Sequence, residues 1–134
     1  MVKSFKVIIA FLALVLVHSA YAEDKLPFTI TQDPSKLPSR AIIQTSEGSF
    51  TIKLFRNQAP ISVQNFEYLA RKGTYNYVKF HKLIEGFAIQ GGDPTGSGWG
   101  GPGYTLPPEF GVKHLRGTIG WARPPMRHNP ERRS

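Results

Sequence analysis

The sequence predicts a mainly β domain with one well-defined helix, of either the antiparallel barrel or the antiparallel sandwich type. Several short runs rich in β-branched and aromatic residues are separated by turns that contain glycine, which is the spacing of an all-β architecture. One segment repeats apolar residues every three or four positions, and another stretch is dominated by glycine. Periodicity alone does not choose between a barrel and a sandwich.

The first 22 residues are predicted to be a cleavable secretory signal peptide. Lys3 and Lys6 precede the apolar run Val7–Val17, and Ala20-Tyr21-Ala22 then supplies small residues before Glu23. The alternative is an uncleaved membrane anchor, but the apolar run is shorter than the roughly 20 residues that a span requires. We therefore expect cleavage between Ala22 and Glu23, a periplasmic or secreted protein, and no stable membrane insertion afterwards.

The remaining chain divides at Arg40. Residues 23–39 are polar and contain Pro27, Pro34 and Pro38, so we expect a lead-in segment followed by a domain over residues 40–134. The first two strands of this domain are predicted at 41–45 and 50–55. Because a short glycine-bearing turn separates a β-branched run from an alternating one, they should form a β-hairpin.

An amphipathic helix is predicted to follow this hairpin. Pro60 suits a first helical turn, where the missing N–H would be unbonded in any case. Val63, Phe66, Leu69 and Ala70 form one apolar stripe at helical spacing. Gly73 follows two basic residues and fits the usual end of a helix.

The second half of the domain is predicted to contain two more strands, a loop and a last strand. The strands are expected over 77–84 and 87–91, around the turn Glu85-Gly86. Residues 91–103 hold too many glycines for regular structure, so their backbone should form a loop that comes close to another group. A last strand is expected at 117–122, and residues 123–134 are rich in Pro and Arg without apolar periodicity.

Composition narrows the possible functions. The 134 residues carry a formal net charge of +8 and no cysteine, so an exported domain would depend on its core and not on disulfides. Nucleic-acid binding is the least favoured function, because the chain has an export signal and its Arg-rich end lacks interleaved aromatic residues. The histidines lack metal-type spacing, so no metal or other cofactor is expected.

The run FHKLIEGFAIQGGD from Phe80 to Asp93 resembles the signature of exported bacterial cyclophilin-type peptidyl-prolyl cis-trans isomerases. Further landmarks fall where that family places them: Asn65, Phe66, Leu69, Gly73, Gly101, Pro102, Gly103, Tyr104, Glu109, Phe110, His114 and Gly117. The resemblance runs from about Arg40 to Ala122. It implies an eight-stranded antiparallel β-barrel with capping helices that accelerates rotation about X-Pro bonds in proline-containing peptides or unfolded exported proteins.

The resemblance also implies a site. Its catalytic residues would be Lys82, Phe87 and Gln90, and its substrate-binding residues Ala88, Ala122 and Arg123. Phe87 would form the floor of the proline pocket, Gln90 would bind the substrate backbone, and Lys82 stands where the family has its catalytic arginine. Judged from periodicity alone, Phe87 would be a core residue and Gln90 a polar residue at a strand edge.

Three departures from the family pattern affect these expectations. Lys82 has a compact ammonium where the family has the planar guanidinium of an arginine, so turnover should be lower than with arginine. Ala88 is smaller than the aliphatic residue or methionine that the family usually has at this position, so the proline pocket should be shallower. The chain stops at Ser134, before further strands and a second helix of the family, so we expect a C-terminally truncated, aggregation-prone domain. The alternative functions are a non-catalytic proline-peptide binding module and an inactive fragment.

Overall fold

The computed structural model describes residues 25–123. The predicted signal peptide at residues 1–22 and the chain end at 124–134 lie outside the described residues. Within the described part, a 3₁₀ turn at Pro34–Lys36 is followed by strands β1 (Arg40–Thr45) and β2 (Gly48–Lys53), helix α1 (Pro60–Arg71), and strands β3 (Lys82–Ile84) and β4 (Ala88–Gln90). The predicted mainly β class with short antiparallel strands and a helix is confirmed.

Strands β1 and β2 form the first predicted hairpin. They pair antiparallel from Arg40 opposite Lys53 to Thr45 opposite Gly48. The Thr45 hydroxyl donates to the Gly48 carbonyl at 2.8 Å and accepts from the Glu47 N–H at 3.1 Å, which closes the turn. Gly48 has a φ of +127°, a conformation that residues other than glycine rarely adopt. This explains why the turn falls at this glycine.

Helix α1 begins at Pro60, as predicted, and buries part of its apolar stripe. Val63 and Leu69 are buried, whereas Ala70 at the end of the stripe is exposed. Gly73 follows the helix with a φ of +73°, the left-handed conformation that commonly ends a helix. The helical periodicity therefore identified Val63 and Leu69 of the buried face, but not Ala70.

The lead-in residues pack against α1. The ring of Phe28 lies 5.4 Å from the ring of Tyr68, measured between centroids. Gln64 accepts the N–H of Thr31 at 2.9 Å and donates to the carbonyl of Thr29 at 2.5 Å. These contacts tie the segment before the first strand to helix α1.

Strands β3 and β4 form a second antiparallel sheet. Among the described residues neither strand pairs with β1 or β2. They are shorter than the strands predicted at 77–84 and 87–91. Tyr77 adopts a φ of +62°, which an extended strand cannot contain. The start of the predicted strand is thus a turn, and the described pairing begins at Lys82.

Residues 91–123 contain no helix or strand in the described structure, so the predicted strand at 117–122 is wrong. Thr118 donates its N–H to the Leu115 carbonyl at 3.0 Å, and Gly117 has a φ of +84°. The start of the predicted strand is thus a turn. A segment forms a strand only when a neighbouring strand pairs with its backbone N–H and C=O groups. None of the described segments pairs with residues 117–122.

Few apolar side chains are buried in the described part. Leu37, Val63 and Leu69 form its core, while many large apolar side chains of both hairpins and of residues 99–121 are exposed. No helix among residues 25–123 is long and apolar enough to cross a membrane.

Candidate functional site

The hairpin of β3 and β4 brings two of the predicted site residues together. Lys82 lies directly opposite Gln90 in the antiparallel register, so their side chains leave the same face with Cβ atoms about 5 Å apart. The N–H of His81 donates to the Gln90 carbonyl at 3.0 Å, and the N–H of Phe87 donates to the Ile84 carbonyl at 3.0 Å. These bonds hold the open end and the turn of the hairpin.

Phe87 and Ala88 belong to the same hairpin but differ in position. Phe87 lies in the turn and is 83% exposed, so it is not a core residue in the described structure. Ala88 is opposite Ile84 and shares a face with Gln90, because alternate residues of a strand point the same way. The hairpin therefore presents Lys82, Gln90 and Ala88 on one face, with the exposed Phe87 ring at its turn.

Ala122 and Arg123 are not brought to this hairpin by any described contact. The Arg123 guanidinium lies over the ring of Phe110, 4.7 Å from its centroid. A cation over an aromatic face is attracted by the ring quadrupole. Arg123 thus has a partner within its own segment.

The glycine-rich loop after β4 is built around Asp93, which the sequence analysis did not identify as a functional residue. Asp93 is buried, with 6% of the residue exposed. Oδ1 accepts from the N–H and the hydroxyl of Thr95 at 2.8 and 2.7 Å. Oδ2 accepts from the N–H groups of Gly98 and Gly100 at 2.7 and 3.1 Å and from the Ser97 hydroxyl at 3.2 Å. The signal in the sequence is an Asp followed at two and four residues by hydroxyl side chains, a pattern typical of turns.

The charge of Asp93 is stabilised by hydrogen bonds. Burial by itself would raise the pKa of this carboxyl, but the bonds from Thr95, Gly100 and Gly98 outweigh burial and hold the pKa below its ordinary value. Among residues 25–123 no lysine or arginine forms an ion pair with it. The carboxylate is therefore ionised at neutral pH and organises the loop through neutral donors.

The loop backbone lies close to several rings, as the glycine content predicted. A methyl group added at Gly91 would lie 2.7 Å from the Phe80 ring, and one added at Gly98 would lie 3.3 Å from Nε2 of His81. Both ring nitrogens of His81 and the hydroxyl of Tyr75 are shielded from solvent, with no hydrogen-bond partner in the described part of the chain. Glycine is thus required where the loop covers these side chains.

Burial also affects the tyrosines behind the loop. Tyr75 stacks on Phe66 of α1, with ring centroids 5.4 Å apart. Burial, with a smaller contribution from Tyr104, raises the pKa of Tyr75 to about 12. The Tyr104 hydroxyl donates to Oδ1 of Asn65 at 2.6 Å, and Asn65 is only 1% exposed. The loop and the segment after it are therefore tied to α1.

An open depression of about 410 Å³ lies between the two hairpins, lined by residues 45–50, Phe80 and Ile89. None of the predicted site residues lines it. Ile89 and Gln90 are neighbours in β4 and so point to opposite faces. The depression is therefore on the other side of the hairpin from the Lys82–Gln90 pair.

No cluster of His, Cys, Asp or Glu that could hold a metal ion occurs in the part of the chain that the structure describes. The polar groups of the candidate site are an ammonium and a carboxamide. Such a pair can donate and accept hydrogen bonds.

Comparison with known proteins relates this chain to a family. The family model for cyclophilin-type peptidyl-prolyl cis-trans isomerases matches residues 40–132. A peptidyl-prolyl cis-trans isomerase of Synechococcus elongatus is 44% identical over 85 residues, which cover 63% of this chain and 59% of the relative. One of Helicobacter pylori is 40% identical over 98 residues, which cover 71% of this chain and 60% of the relative.

A similar segment occurs within a much longer protein. The human peptidylprolyl isomerase domain and WD repeat-containing protein 1 is 44% identical over 79 residues, which cover 59% of this chain and 12% of that protein. The chain thus matches about three fifths of the length of its bacterial relatives. No solved structure matches significantly.

Proposed function

The chain belongs to the family of cyclophilin-type peptidyl-prolyl cis-trans isomerases, and from this premise we propose that it accelerates rotation about X-Pro peptide bonds. The barrier to that rotation is about 18–20 kcal/mol and arises from the partial double-bond character of the amide. A catalyst lowers it by binding the twisted amide more tightly than the planar one. Hydrogen-bond donors and an apolar contact are sufficient for this, and no covalent intermediate is needed.

The direct pairing of Lys82 with Gln90 in the β3–β4 register is the observation that carries the proposal. The Lys82 ammonium would donate to the proline nitrogen as that nitrogen becomes pyramidal and loses its conjugation. The Gln90 amide would bind the substrate backbone beside it. Since both side chains leave one face of a short hairpin, one X-Pro dipeptide can reach both.

The remaining site residues are proposed to bind the substrate. The exposed Phe87 ring offers apolar area for the pyrrolidine ring, and the small Ala88 leaves space beside Gln90. Ala122 and Arg123 would contact residues before the proline. In this proposal Arg123 leaves or shares its contact with Phe110 when substrate binds, because a cation over a ring at the surface is held weakly.

We further propose that the two hairpins correspond to strand pairs of the family's eight-stranded barrel, of which the described residues supply four strands. Leu83 and Ile89 are opposite each other on one face of the β3–β4 hairpin, and Ile84 is on the other. All three are exposed in the described structure. A hairpin with apolar side chains on both faces can pack against other elements on both sides, as a strand pair does in a barrel wall that a helix covers.

Export is also proposed, from the signal peptide predicted at residues 1–22. The substrates would then be proline-containing exported chains. Expression of the full chain in a Gram-negative host, followed by mass analysis of the periplasmic fraction, should give a protein that starts at Glu23. Retention of Met1–Ala22 on the periplasmic protein would contradict this cleavage.

The isomerase proposal is tested by exchange NMR on a peptide that contains one Ala-Pro bond, with and without Glu23–Ser134. We expect cis-trans exchange to accelerate in proportion to protein concentration. The Lys82→Gln variant should lose most of the acceleration. Lys79→Gln is the matched control, because Lys79 is an exposed lysine outside the hairpin and should leave the rate unchanged.

A folded protein that leaves the exchange rate unaltered would overturn the proposal. If the peptide resonances then shift on addition of protein without faster exchange, the chain is a proline-peptide binding module. Equal losses in Lys82→Gln and Lys79→Gln would mean that charge in general, and not the hairpin pair, is responsible.

A further inference from the structure

We propose that Asp93 is a positioning residue, which holds the Lys82–Gln90 pair in place through the glycine-rich loop and His81. The inference rests on the proposed isomerase function for its kinetic consequence. Its structural part, the geometry of the hairpin, can be measured without substrate. No hydrogen bond joins Asp93 to the side chain of Lys82 or Gln90 in the described structure, so its effect must pass through intervening groups.

The first step is closure of the loop by the Asp93 carboxylate. Donors from Thr95, Ser97, Gly98 and Gly100 converge on its two oxygens. The closure is tight, since a methyl group added at Gly100 would overlap the carboxylate. Residues 93–100 are therefore wound around one buried negative charge.

The second step is contact between the closed loop and His81. The N–H of Gly98 is bonded to Asp93 at 2.7 Å, and the Cα of the same residue faces Nε2 of His81, where an added methyl group would lie 3.3 Å away. Gly98 also has a φ of +83°. Gly98 thus binds the carboxylate through its amide and leaves no room for a side chain on the side that faces the His81 imidazole.

The third step leads from His81 to the pair. The His81 N–H donates to the Gln90 carbonyl at 3.0 Å, and the next residue, Lys82, is the partner of Gln90 in the register. On the other side, Gly91 and Gly92 run from Gln90 to Asp93 against the rings of Phe80 and Tyr75. Asp93 is therefore linked to the pair both through the chain and through His81.

A carboxylate is required because backbone N–H groups, which can only donate, face both of its oxygens: Thr95 at Oδ1, and Gly98 and Gly100 at Oδ2. An Asn side chain would keep one acceptor oxygen and turn an NH₂ group toward N–H donors. We expect Asp93→Asn to open the loop and to loosen the His81–Gln90 bond. Small displacements of positioned groups lower catalysis strongly, so kcat/KM should fall roughly ten- to a hundredfold, mainly through kcat.

The experiment compares the full chain with Asp93→Asn and Asp33→Asn. Asp33 is the matched control, because its Oδ1 accepts from the N–H and hydroxyl of Ser35 at 3.0 and 2.6 Å in the same local pattern, but on an exposed turn before the first strand. On each protein we would measure backbone amide shifts of Lys82 and Gln90, hydrogen exchange of the His81 N–H, and kcat/KM on the Ala-Pro peptide.

The proposal predicts shifted amides, exchange of the His81 N–H at least about tenfold faster, and lower kcat in Asp93→Asn, with wild-type values in Asp33→Asn. A lower melting temperature in Asp93→Asn with unchanged amide shifts and unchanged kcat/KM of the folded fraction would overturn it. If the wild type does not accelerate exchange, the proposed function fails, and the amide shifts and hydrogen exchange still decide whether Asp93 positions the pair.

A second set of variants covers failure of Asp93→Asn to fold. Thr95→Ala removes the hydroxyl donor and leaves the carboxylate and the backbone donors in place. It should perturb the same amides in the same direction by a smaller amount, and Thr95→Ser should restore them. Unchanged amides of Lys82 and Gln90 in Thr95→Ala would overturn the proposal.

Discussion

The carboxylate of Glu109 caps helix α1 by accepting the backbone N–H of Ser62 at 2.7 Å, across 47 residues of chain. Its second oxygen accepts the N–H of Ile61 at 2.9 Å. Ala59 at the N-cap position has no side-chain cap, so these N–H groups would otherwise lack a partner within the helix. The segment that contains Glu109 therefore completes a helix that its own sequence leaves uncapped.

Glu109→Gln should lower the free energy of unfolding by about 1 kcal/mol. The loss combines a weakened cap with removal of a negative charge from the positive end of the helix dipole. Urea unfolding monitored by circular dichroism at 222 nm would measure it. Glu67→Gln is the control, because it breaks the exposed pair with Arg71 and should cost no more than about 0.5 kcal/mol. Equal losses would show that Glu109 is not a structural cap.

Tyr104→Phe should destabilise the chain by about 1–3 kcal/mol, because it leaves the buried Oδ1 of Asn65 without its donor. The Tyr104 ring is retained in this variant, so packing changes little. Tyr77→Phe removes a hydroxyl from a fully exposed ring and should be neutral within about 0.5 kcal/mol. Thermal unfolding of both variants would separate the two effects, and a neutral Tyr104→Phe would contradict the assigned role of the bond.

Local elements of this fold were predictable because their signals are local. The turn at Gly48, the apolar stripe of α1 and the left-handed Gly73 each depend on residues within one or two turns of chain. The expected strand at 117–122 failed because a strand needs a neighbour, and a β-branched run does not specify one. Tyr77, the first residue of the third predicted strand, adopts a positive φ that its residue type does not predict.

The candidate site was less predictable than the elements that carry it. Lys82 and Gln90 were identified from the family resemblance, and their direct pairing depends on a register that periodicity alone could shift by one residue. Asp93 was missed because its role lies in donors that converge only after the loop closes. Glu109 belonged to the resemblance, but its partners are 47 and 48 residues away, and no local pattern predicts such a cap.

Lys82→Arg should raise kcat/KM on the Ala-Pro peptide about fivefold. A guanidinium can direct two or more fixed donors at the substrate, and one additional hydrogen bond of about 1 kcal/mol corresponds to that factor. Lys79→Arg makes the same chemical change at an exposed position outside the hairpin and should have no effect. An unchanged rate in Lys82→Arg would mean that the ammonium already supplies all the stabilisation available at this position.

Tyr75 should make the folded chain sensitive to alkaline pH. Burial raises its pKa to about 12, against an ordinary value near 10 in the unfolded chain. Between about pH 10 and 12 the unfolded state therefore loses the phenolic proton first, and stability falls as pH rises. The contribution is fully present below about pH 10.

Tyr75→Phe should remove this part of the alkaline loss. At neutral pH it should hold stability or raise it by up to about 1 kcal/mol, because it deletes a shielded hydroxyl that has no partner in the described residues. Urea midpoints from pH 8 to 12 would be compared for wild type, Tyr75→Phe and Tyr77→Phe. Tyr77→Phe should keep the wild-type slope, since that ring is as exposed in the folded chain as in the unfolded one. A wild-type slope in Tyr75→Phe as well would show that groups other than Tyr75 cause the alkaline loss.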